Sequence, residues 1–130
     1  MQDLKNRYKK FAIETGELIL QLPKSIINNA YMNQLIRSSS SPGTNYRAAC
    51  RAKSMPDFIN KLKIVEEELD ETMFFYEMIA EFNSESKKEL RELFIEANQL
   101  LSIIVASINT TNSNIIKENV QKIRNPKSKI

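Results

Sequence analysis

An all-α fold, in the form of an antiparallel up-and-down four-helix bundle, is the fold class that this sequence predicts. The 130 residues include only two glycines and four prolines, which is too few for the hairpin turns of a many-stranded β fold. Apolar residues instead recur at alternating steps of three and four, as they do on one face of a helix. Because 42% of the residues are apolar, one domain with one core is expected.

The first predicted helix spans about residues 4–22. Its core face is expected to consist of Leu4, Tyr8, Phe11, Thr15, Leu18 and Leu22. Pro23 ends this helix, because proline lacks an amide proton and disfavours the α conformation in the residue before it. The second helix is expected to begin near Lys24 or Ser25. Its predicted core residues are Ile27, Ala30, Tyr31 and Leu35.

Residues 38–45, with the sequence SSSSPGTN, allow two interpretations. Serine, proline, glycine and asparagine compete with helix formation, so the stretch is typical of a linker between two helices. Small residues also let neighbouring helices approach closely, and a helix can continue through a proline as a kink where packing compensates for the lost hydrogen bond. Local propensity leaves both interpretations open.

The third helix is expected to start at Ser54-Met55-Pro56-Asp57, where serine can cap and proline is tolerated in the first turn. It carries the strongest periodicity in the chain, at Phe58, Leu62, Val65, Leu69, Thr72, Tyr76 and Ile79. Met73, Phe75 and Met78 lie outside that seam. The third helix is therefore expected to face more than one neighbour, within the fold or across a subunit contact.

The fourth helix follows a short break, and Ser86 and Glu89 have the spacing of a capping box. Its predicted core residues are Leu90, Phe94, Ala97, Leu101, Ile104 and Ile108. The polar residues 110–114 are expected to end it. The sequence thus predicts a bundle domain over residues 1–112 and a basic, flexible tail over residues 113–130.

The composition argues against an enzyme, a metal site or a bound cofactor. The chain has no histidine and one cysteine, Cys50, which is expected to be a small buried apolar group. The acidic run of the third helix is interpreted as a solvated face or an intersubunit salt-bridge surface, because di-iron bundles also need histidines. Its members are Glu66, Glu67, Glu68, Asp70 and Glu71. With no apolar run long enough to span a bilayer and no signal-peptide pattern, a cytoplasmic protein without membrane contact is expected.

Charge is distributed unevenly along the chain, although the net charge is only +3. Residues 1–63 carry a net charge of +7, residues 64–96 carry −8, and residues 97–130 carry +4. Surfaces of opposite sign steer subunits toward each other, and basic surfaces attract polyanions. This pattern indicates possible partners rather than a fold.

Residues 34–62 resemble the four-helix-bundle proteins encoded in 23S rRNA intervening sequences. The matching segments are Leu22-Pro23, QLIRSSSSPGTNYRAA at 34–49 and AKSMPDFINKL at 52–62, and the resemblance extends over about residues 11–108. The same family includes the accessory variability protein of diversity-generating retroelements. The small residues followed by Asn45-Tyr46 and later by Asp57-Phe58 are the specific part of the pattern.

The resemblance implies a continuous second helix, kinked near Pro42, and no catalysis. It also implies a ring-shaped homopentamer, and for the retroelement branch a partner role with a reverse transcriptase, RNA or DNA. Arg37, Asn45, Arg47, Glu68 and Glu71 match the family pattern. Two positions depart from it. Ala48 stands where the family often has glutamate and Glu67 where it has lysine, so an ion pair between these positions is absent.

Arg37, Arg47 and Arg51 form the candidate nucleic-acid-binding set. On a continuous helix they fall within about 80° of one another, which would create a strip of cations facing phosphates. The alternative is that they are solvated or pair with the acidic third helix. Asn45 is expected to be a structural polar residue that donates to a carbonyl of a neighbouring helix at the kink, and Glu68 and Glu71 are treated as structural polar residues as well.

The sequence therefore favours a non-catalytic, self-assembling scaffold that forms a homo-oligomer. Binding of RNA or DNA through the basic surface is the second interpretation. Neither interpretation depends on a cofactor.

Overall fold

Four long helices make up the computed structural model, which describes residues 2–124. They are α1 (Gln2–Gln21), α2 (Ile26–Ala49), α3 (Met55–Phe82) and α4 (Lys87–Arg124), with a 3-10 turn at Ser84–Ser86 before α4. No strand is present in the described part of the chain. The prediction of an all-α four-helix bundle is confirmed.

Capping residues set the helix boundaries largely where the sequence predicted them. α1 ends at Gln21, directly before Leu22-Pro23. The Ser25 hydroxyl accepts a hydrogen bond from the Asn28 amide at 3.0 Å, so α2 starts at Ile26. The Ser54 hydroxyl accepts one from the Asp57 amide at 3.2 Å. Each cap satisfies one amide that has no partner within the first turn of its helix.

The serine-rich stretch is helical, since α2 continues through Pro42 to Ala49. Ser38, Ser39 and Pro42 are buried, and the Ser38 and Ser39 hydroxyls donate to carbonyls three residues earlier in α2. A Cβ atom at Gly43 would lie 3.3 Å from the Cβ of Tyr8, so the absence of a side chain lets α1 approach α2. The linker interpretation is wrong because packing outweighs the low propensity, whereas the kink near Pro42 stays a prediction.

Each helix packs against the next one in the chain, and α1 also contacts α4. In the contacts between neighbouring helices, a residue later in one helix contacts a residue earlier in the other. α1 and α3 are therefore both antiparallel to α2. The pairs are Gly16 with Ile36 and Tyr8 with Gly43 across α1 and α2, and Asn28 with Asn83 and Arg37 with Glu68 across α2 and α3.

The core follows the predicted stripes on three helices. α1, α3 and α4 contribute the buried residues Tyr8, Phe11, Thr15, Leu18, Leu62, Val65, Leu69, Thr72, Tyr76, Ile79, Leu90, Ala97, Ile104 and Ile108. In α4, Leu93 and Leu100 are buried, whereas the predicted core residues Phe94 and Leu101 are half-buried and pack against the edge of the core.

In the first turns of α2 the predicted core residues are wrong. Ile27 and Ala30 are exposed, whereas Asn28 is buried. The Asn28 and Asn83 amides donate to each other's oxygen at 2.9 and 2.8 Å, and Asn28 also donates to the Pro23 carbonyl at 2.8 Å. This pairing lets a polar residue occupy the core face, because buried amides are tolerated when they are hydrogen-bonded.

The predicted end of the fourth helix at residues 110–114 is wrong, because α4 continues to Arg124. Ile115, which follows this polar stretch, still packs on the core. Residues 125–130 lie outside the described part, so the predicted flexibility of the 113–130 tail is retained only as a prediction for them. The division into domains at residue 112 also stays a prediction.

One segment, Ser84–Arg124, is long and apolar enough by length and composition to cross a membrane. Soluble core helices pass the same test. In this segment Leu100, Ile104 and Ile108 are buried among the other helices. The absence of membrane contact stays a prediction, as does the cytoplasmic location.

Candidate interaction surfaces

Four aromatic rings form a continuous surface along one side of α2 and α3, which we call the aromatic patch: Tyr31, Phe74, Phe75 and Phe82. Ring centroids are 6.3 Å apart between Phe82 and Tyr31, 6.0 Å between Tyr31 and Phe75, and 5.5 Å between Phe75 and Phe74. Phe74 is 53% exposed and Phe82 52% exposed, while the other two rings are half-buried. A patch of this kind on a soluble protein is typical of an interaction site.

The sequence predicted surplus apolar surface on this side of α3, but of the four rings in the aromatic patch it singled out only Phe75 in that role. Phe75 and Met78 were predicted to be surplus apolar surface, and both are half-buried. The more exposed rings are Phe74 and Phe82, which the sequence analysis did not single out. The helical spacing of α3 could have shown that Phe74 and Phe82 lie outside the core stripe. The contact of Tyr31 with these rings depends on how α2 is aligned against α3, which spacing within one helix does not show.

Arg37 lies between two carboxylates of α3. Its guanidinium donates to Glu71 at 2.8 Å and to Glu68 at 3.3 Å, and these bonds raise the pKa of Arg37. We call these three residues the Arg37 cluster. Of the two interpretations of the arginines, pairing with the acidic third helix is therefore the one that applies to Arg37. Its charge is largely neutralised by the two carboxylates.

Glu68 is the most enclosed member of the Arg37 cluster, with 18% of its side chain exposed. Burial raises the pKa of Glu68, and repulsion from Glu71 adds to this effect, while Arg37 opposes it. Desolvation thus outweighs the ion pair for this carboxylate. The cluster closes the α2–α3 interface and leaves Glu68 without a free role in binding.

The Asn45 side chain donates to the Ser41 carbonyl at 2.9 Å and to the Ser41 hydroxyl at 3.0 Å. The predicted acceptor on a neighbouring helix is wrong, because Ser41 lies one turn earlier in the same helix. A structural role is still the simplest one for this amide. The bond supports the turn of α2 that contains Pro42, whose nitrogen cannot donate.

Arg47 and Arg51 are separated by the end of α2. The helix stops at Ala49 and Cys50 caps it, so Arg51 lies in the following turn. The predicted strip of three arginines on one continuous helix is therefore wrong: Arg37 is paired and Arg51 has left the helix. Among the described residues, Arg47 and Arg51 make no ion pair.

A basic pocket lies instead between α1 and α2 and has a volume of about 270 Å³. Its polar lining comes from Lys5, Lys9, Ser40, Thr44 and Arg47. Three cations and two hydroxyls are suited to an anion such as a phosphate group. The sequence analysis did not identify Lys5 and Lys9. Their spacing of four places them on one face of α1, but only the packing of α1 on α2 brings them to Arg47.

Side chains that could ligate a metal ion do not cluster on these surfaces in the described part of the chain. Within residues 2–124, no group of three or more cysteine, aspartate or glutamate side chains is arranged to hold a metal ion. Cys50 is half-buried beside Tyr46, and burial together with this contact raises the pKa of Tyr46 to about 12. The Tyr46 hydroxyl is therefore protonated at neutral pH, which is consistent with a structural role.

The family model for the 23S rRNA-intervening sequence protein matches residues 2–106. A solved structure of a Bacteroides thetaiotaomicron protein, described as a protein of unknown function from the S23 ribosomal protein family, has a TM-score of 0.72 and 24% sequence identity. The match covers 81% of this chain and 97% of that one, and it shows a shared fold. No curated protein matches the chain.

A relation to the accessory proteins of diversity-generating retroelements stays a prediction. The matched region holds all four helices of the bundle up to residue 106, and with it the aromatic patch, the Arg37 cluster and the basic pocket. The chain belongs to the family of 23S rRNA-intervening sequence proteins.

Proposed function

We propose that this protein is a non-catalytic scaffold that assembles into a cyclic homo-oligomer through the aromatic patch. The observation that carries the proposal is the exposure of Phe74 and Phe82 at the two ends of a continuous row of rings. Aromatic side chains are enriched in the buried centres of protein interfaces, where each covers a large apolar area. A homopentamer is the state that the family resemblance implies.

The charge pattern supports self-association rather than capture of an unrelated partner. One chain carries a strongly acidic segment, residues 64–96, between two basic segments. Copies of such a chain can place surfaces of opposite sign against each other, which speeds encounter and fixes orientation. Repeating one such contact around an axis yields a closed ring.

Light scattering coupled to size exclusion tests the proposal. The wild-type chain, with a mass of 15.0 kDa, is expected to elute at a multiple of that mass at micromolar concentration. Phe74→Glu combined with Phe82→Glu should yield the monomer, because two charges would be buried without partners in the interface. A wild-type protein that elutes as a monomer contradicts the proposal.

A matched control comes from α1. Ile13 is 51% exposed, close to the value for Phe74, but it lies on another helix and outside the aromatic patch. Ile13→Glu should leave the mass unchanged. If it dissociates the oligomer as fully as the double variant does, the aromatic patch is not the contact. Circular dichroism of each variant separates dissociation from unfolding.

A second candidate function, binding of RNA or DNA phosphates, is supported by the basic pocket. Lys5, Lys9 and Arg47 converge there, and none of them makes an ion pair within residues 2–124. Such contacts release counterions, so affinity for a polyanion should fall steeply as salt rises. A reverse transcriptase as an additional partner is implied by the family resemblance alone.

Fluorescence anisotropy with a labelled RNA oligonucleotide and a labelled DNA duplex tests this second function. Replacing Lys5, Lys9 and Arg47 with alanine should weaken binding and lower the salt slope by about 2 to 3. Replacing the exposed Lys24 and Lys63 is the control, because both lie outside the basic pocket. The absence of binding at low salt, or equal losses in both variants, contradicts the function.

A further inference from the structure

The last nine described residues of α4 form a projecting arm, residues 116–124. Ile115 is the last residue that packs on the core, and every residue from 116 to 124 is exposed. Thr111 and Asn114 lie beside the connection between α2 and α3, at the end of the bundle. With a rise of 1.5 Å per residue, the arm extends about 13 Å beyond that end. It also lies outside the family match, which ends at residue 106.

The arm has an apolar stripe that no other residue between 2 and 124 covers. Ile116, Val120 and Ile123 recur at steps of four and three and are 63%, 42% and 76% exposed. Lys117 and Arg124 lie about 80–100° from Ile116 around the helix, along one edge of this stripe. The stripe has the spacing of a helix that lays its apolar face in a groove, as in helix-in-groove recognition.

An acidic groove of about 360 Å³ runs between α1 and α4. Its apolar floor includes Phe11, Leu18 and Leu93, and its walls hold the carboxylates of Glu14, Glu17, Glu89, Glu92 and Glu96. Lys10 is the one cationic side chain in the lining. An apolar floor with acidic walls matches an apolar stripe with a basic edge.

Three of these carboxylates are available to a partner. Glu96 is held by Arg7 at 2.6 Å, and Glu14 lies 3.9 Å from Lys10. Glu17, Glu89 and Glu92 form no ion pair in the part of the chain that the structure describes. Cations placed along the groove would therefore meet unpaired negative charge, which favours association.

The arm cannot reach the groove of its own chain. Ile116 and Glu92 belong to the same continuous helix, and the 24 residues between their positions separate them by about 36 Å along its axis. Only a second copy can bring the two surfaces together. Such a contact joins different surfaces of the two partners, so it propagates from copy to copy and closes into a ring when the rotation permits.

We propose that the arm of one copy docks in the acidic groove of the next, with its apolar stripe on the floor and its basic edge along the free carboxylates. This inference rests on the proposed self-assembly and assigns it a second contact, separate from the aromatic patch. It commits to a copy of this chain as the occupant. If a basic helix of another protein occupied the groove instead, charge reversal in the arm would leave self-association unchanged, which is one of the outcomes of the test below.

Charge exchange between the two surfaces is the first test. Lys117→Glu with Arg124→Glu should weaken self-association roughly tenfold in sedimentation velocity, because two attractive contacts become repulsive. Adding Glu89→Lys and Glu92→Lys to the same chain should restore the wild-type affinity. Lys24→Glu with Lys63→Glu changes the net charge equally at exposed sites away from the arm and should have no comparable effect.

Cross-linking between copies is the second test. In a Cys50→Ser background, Asn119→Cys places one thiol at the edge of the stripe, and Gln21→Cys places one in the groove lining of a co-expressed second variant. A short bis-maleimide should join the two variants, and it should not join either to a Lys63→Cys control. Restored affinity together with this cross-link supports the arm contact.

The outcomes separate this inference from the proposed function. A wild-type monomer overturns both. An oligomer that keeps its affinity after charge reversal, or shows no cross-link between residues 119 and 21, overturns the arm contact and leaves assembly through the aromatic patch intact. Loss of affinity without rescue by the groove variant also overturns it, since the acidic groove would then not be the receptor.

Discussion

The α2–α3 interface and the α1–α4 interface differ in how completely their polar groups are paired. Across α2 and α3, the Asn28 and Asn83 amides bond to each other at one end, and Arg37 bridges Glu68 and Glu71 further along. Across α1 and α4, Arg7 bonds to Glu96 and Gln99, and beside this contact an open groove leaves three glutamates without ion pairs.

This difference separates residues that hold the fold together from residues available to partners. A buried amide pair is hydrogen-bonded within the chain. Removing one amide leaves the other buried without a hydrogen-bond partner, which destabilises the folded state. Carboxylates along a solvated groove cost little to leave unpaired, so they can contact another molecule without loss of stability. Substitutions in the two interfaces should therefore have effects of different size.

The largest effect is expected at the amide pair. Asn28→Ala should lower the free energy of unfolding by about 3 kcal/mol, because the buried Asn83 amide loses its partner and the bond to the Pro23 carbonyl disappears. Urea denaturation followed by circular dichroism measures it. Asn29→Ala is the control, since Asn29 is exposed in the same turn and shares the change in helix propensity.

Equal effects of the two alanine variants would show that the amide pair does not stabilise the fold. A double-mutant cycle with Asn83→Ala sharpens the measurement. Its coupling energy is expected to exceed about 1 kcal/mol, because each amide bonds directly to the other.

An intermediate effect is expected at the α1–α4 contact. Arg7→Ala should lower the free energy of unfolding by about 1 kcal/mol, because its bond to Glu96 has good geometry although each side chain is about one-third exposed. Lys10→Ala is the control, since its contact with Glu14 is 3.9 Å long and more exposed. The difference should shrink at high salt, and a loss as large as that of Asn28→Ala would contradict the comparison.

The smallest change in stability is expected from Arg37→Ala, whose guanidinium is half-exposed. It should lower the free energy of unfolding less than Arg7→Ala does near neutral pH, and it should raise the pKa of Glu68 further, because Arg37 opposes the effect of burial. Titration of the carboxyl carbon by NMR measures this pKa. If the pKa of Glu68 stayed constant or fell, Arg37 would not be lowering it in the wild-type protein, and the explanation would be wrong.

The pH dependence of stability has a definite sign at Glu68. Because its pKa is raised in the folded state, its contribution to stability is fully present below the unfolded pKa and is lost as pH rises through the folded value. Arg37→Ala should extend that loss over a wider pH range. Denaturation at acidic and neutral pH measures the change.

Sequence patterns predicted most of the fold because helix periodicity and capping are local. The stripe from Leu62 to Ile79 in α3 is buried as predicted, and the cap at Ser54 starts the helix where expected. Where a polar residue occupies the core face, the pattern failed. Asn28 could not be distinguished from a surface residue, because its partner Asn83 lies 55 residues later.

The interaction surfaces were harder to predict than the fold. Arg37 and Arg47 were both predicted to face phosphates. Arg37 is instead paired with α3, and Arg47 lines a pocket together with Lys5 and Lys9 of α1. Arg51 was assigned to a helix that ends two residues earlier. These differences depend on which helices pack together and on where α2 ends. The spacing of residues along one segment encodes neither property.

Residue types and local spacing were enough to predict that the protein is helical, where α1 ends and where α2 and α3 begin. They also show that no histidine is available for catalysis or metal binding. These properties depend on residue type and on contacts within a few residues. Local propensity left the serine-rich stretch open, and the continuous helix that the family resemblance implied is confirmed by the structure. The continuation of α4 to Arg124 and the pairing of charges became visible only once the helices were packed together. Those outcomes depend on packing between distant segments, which outweighs local propensity by burying side chains together.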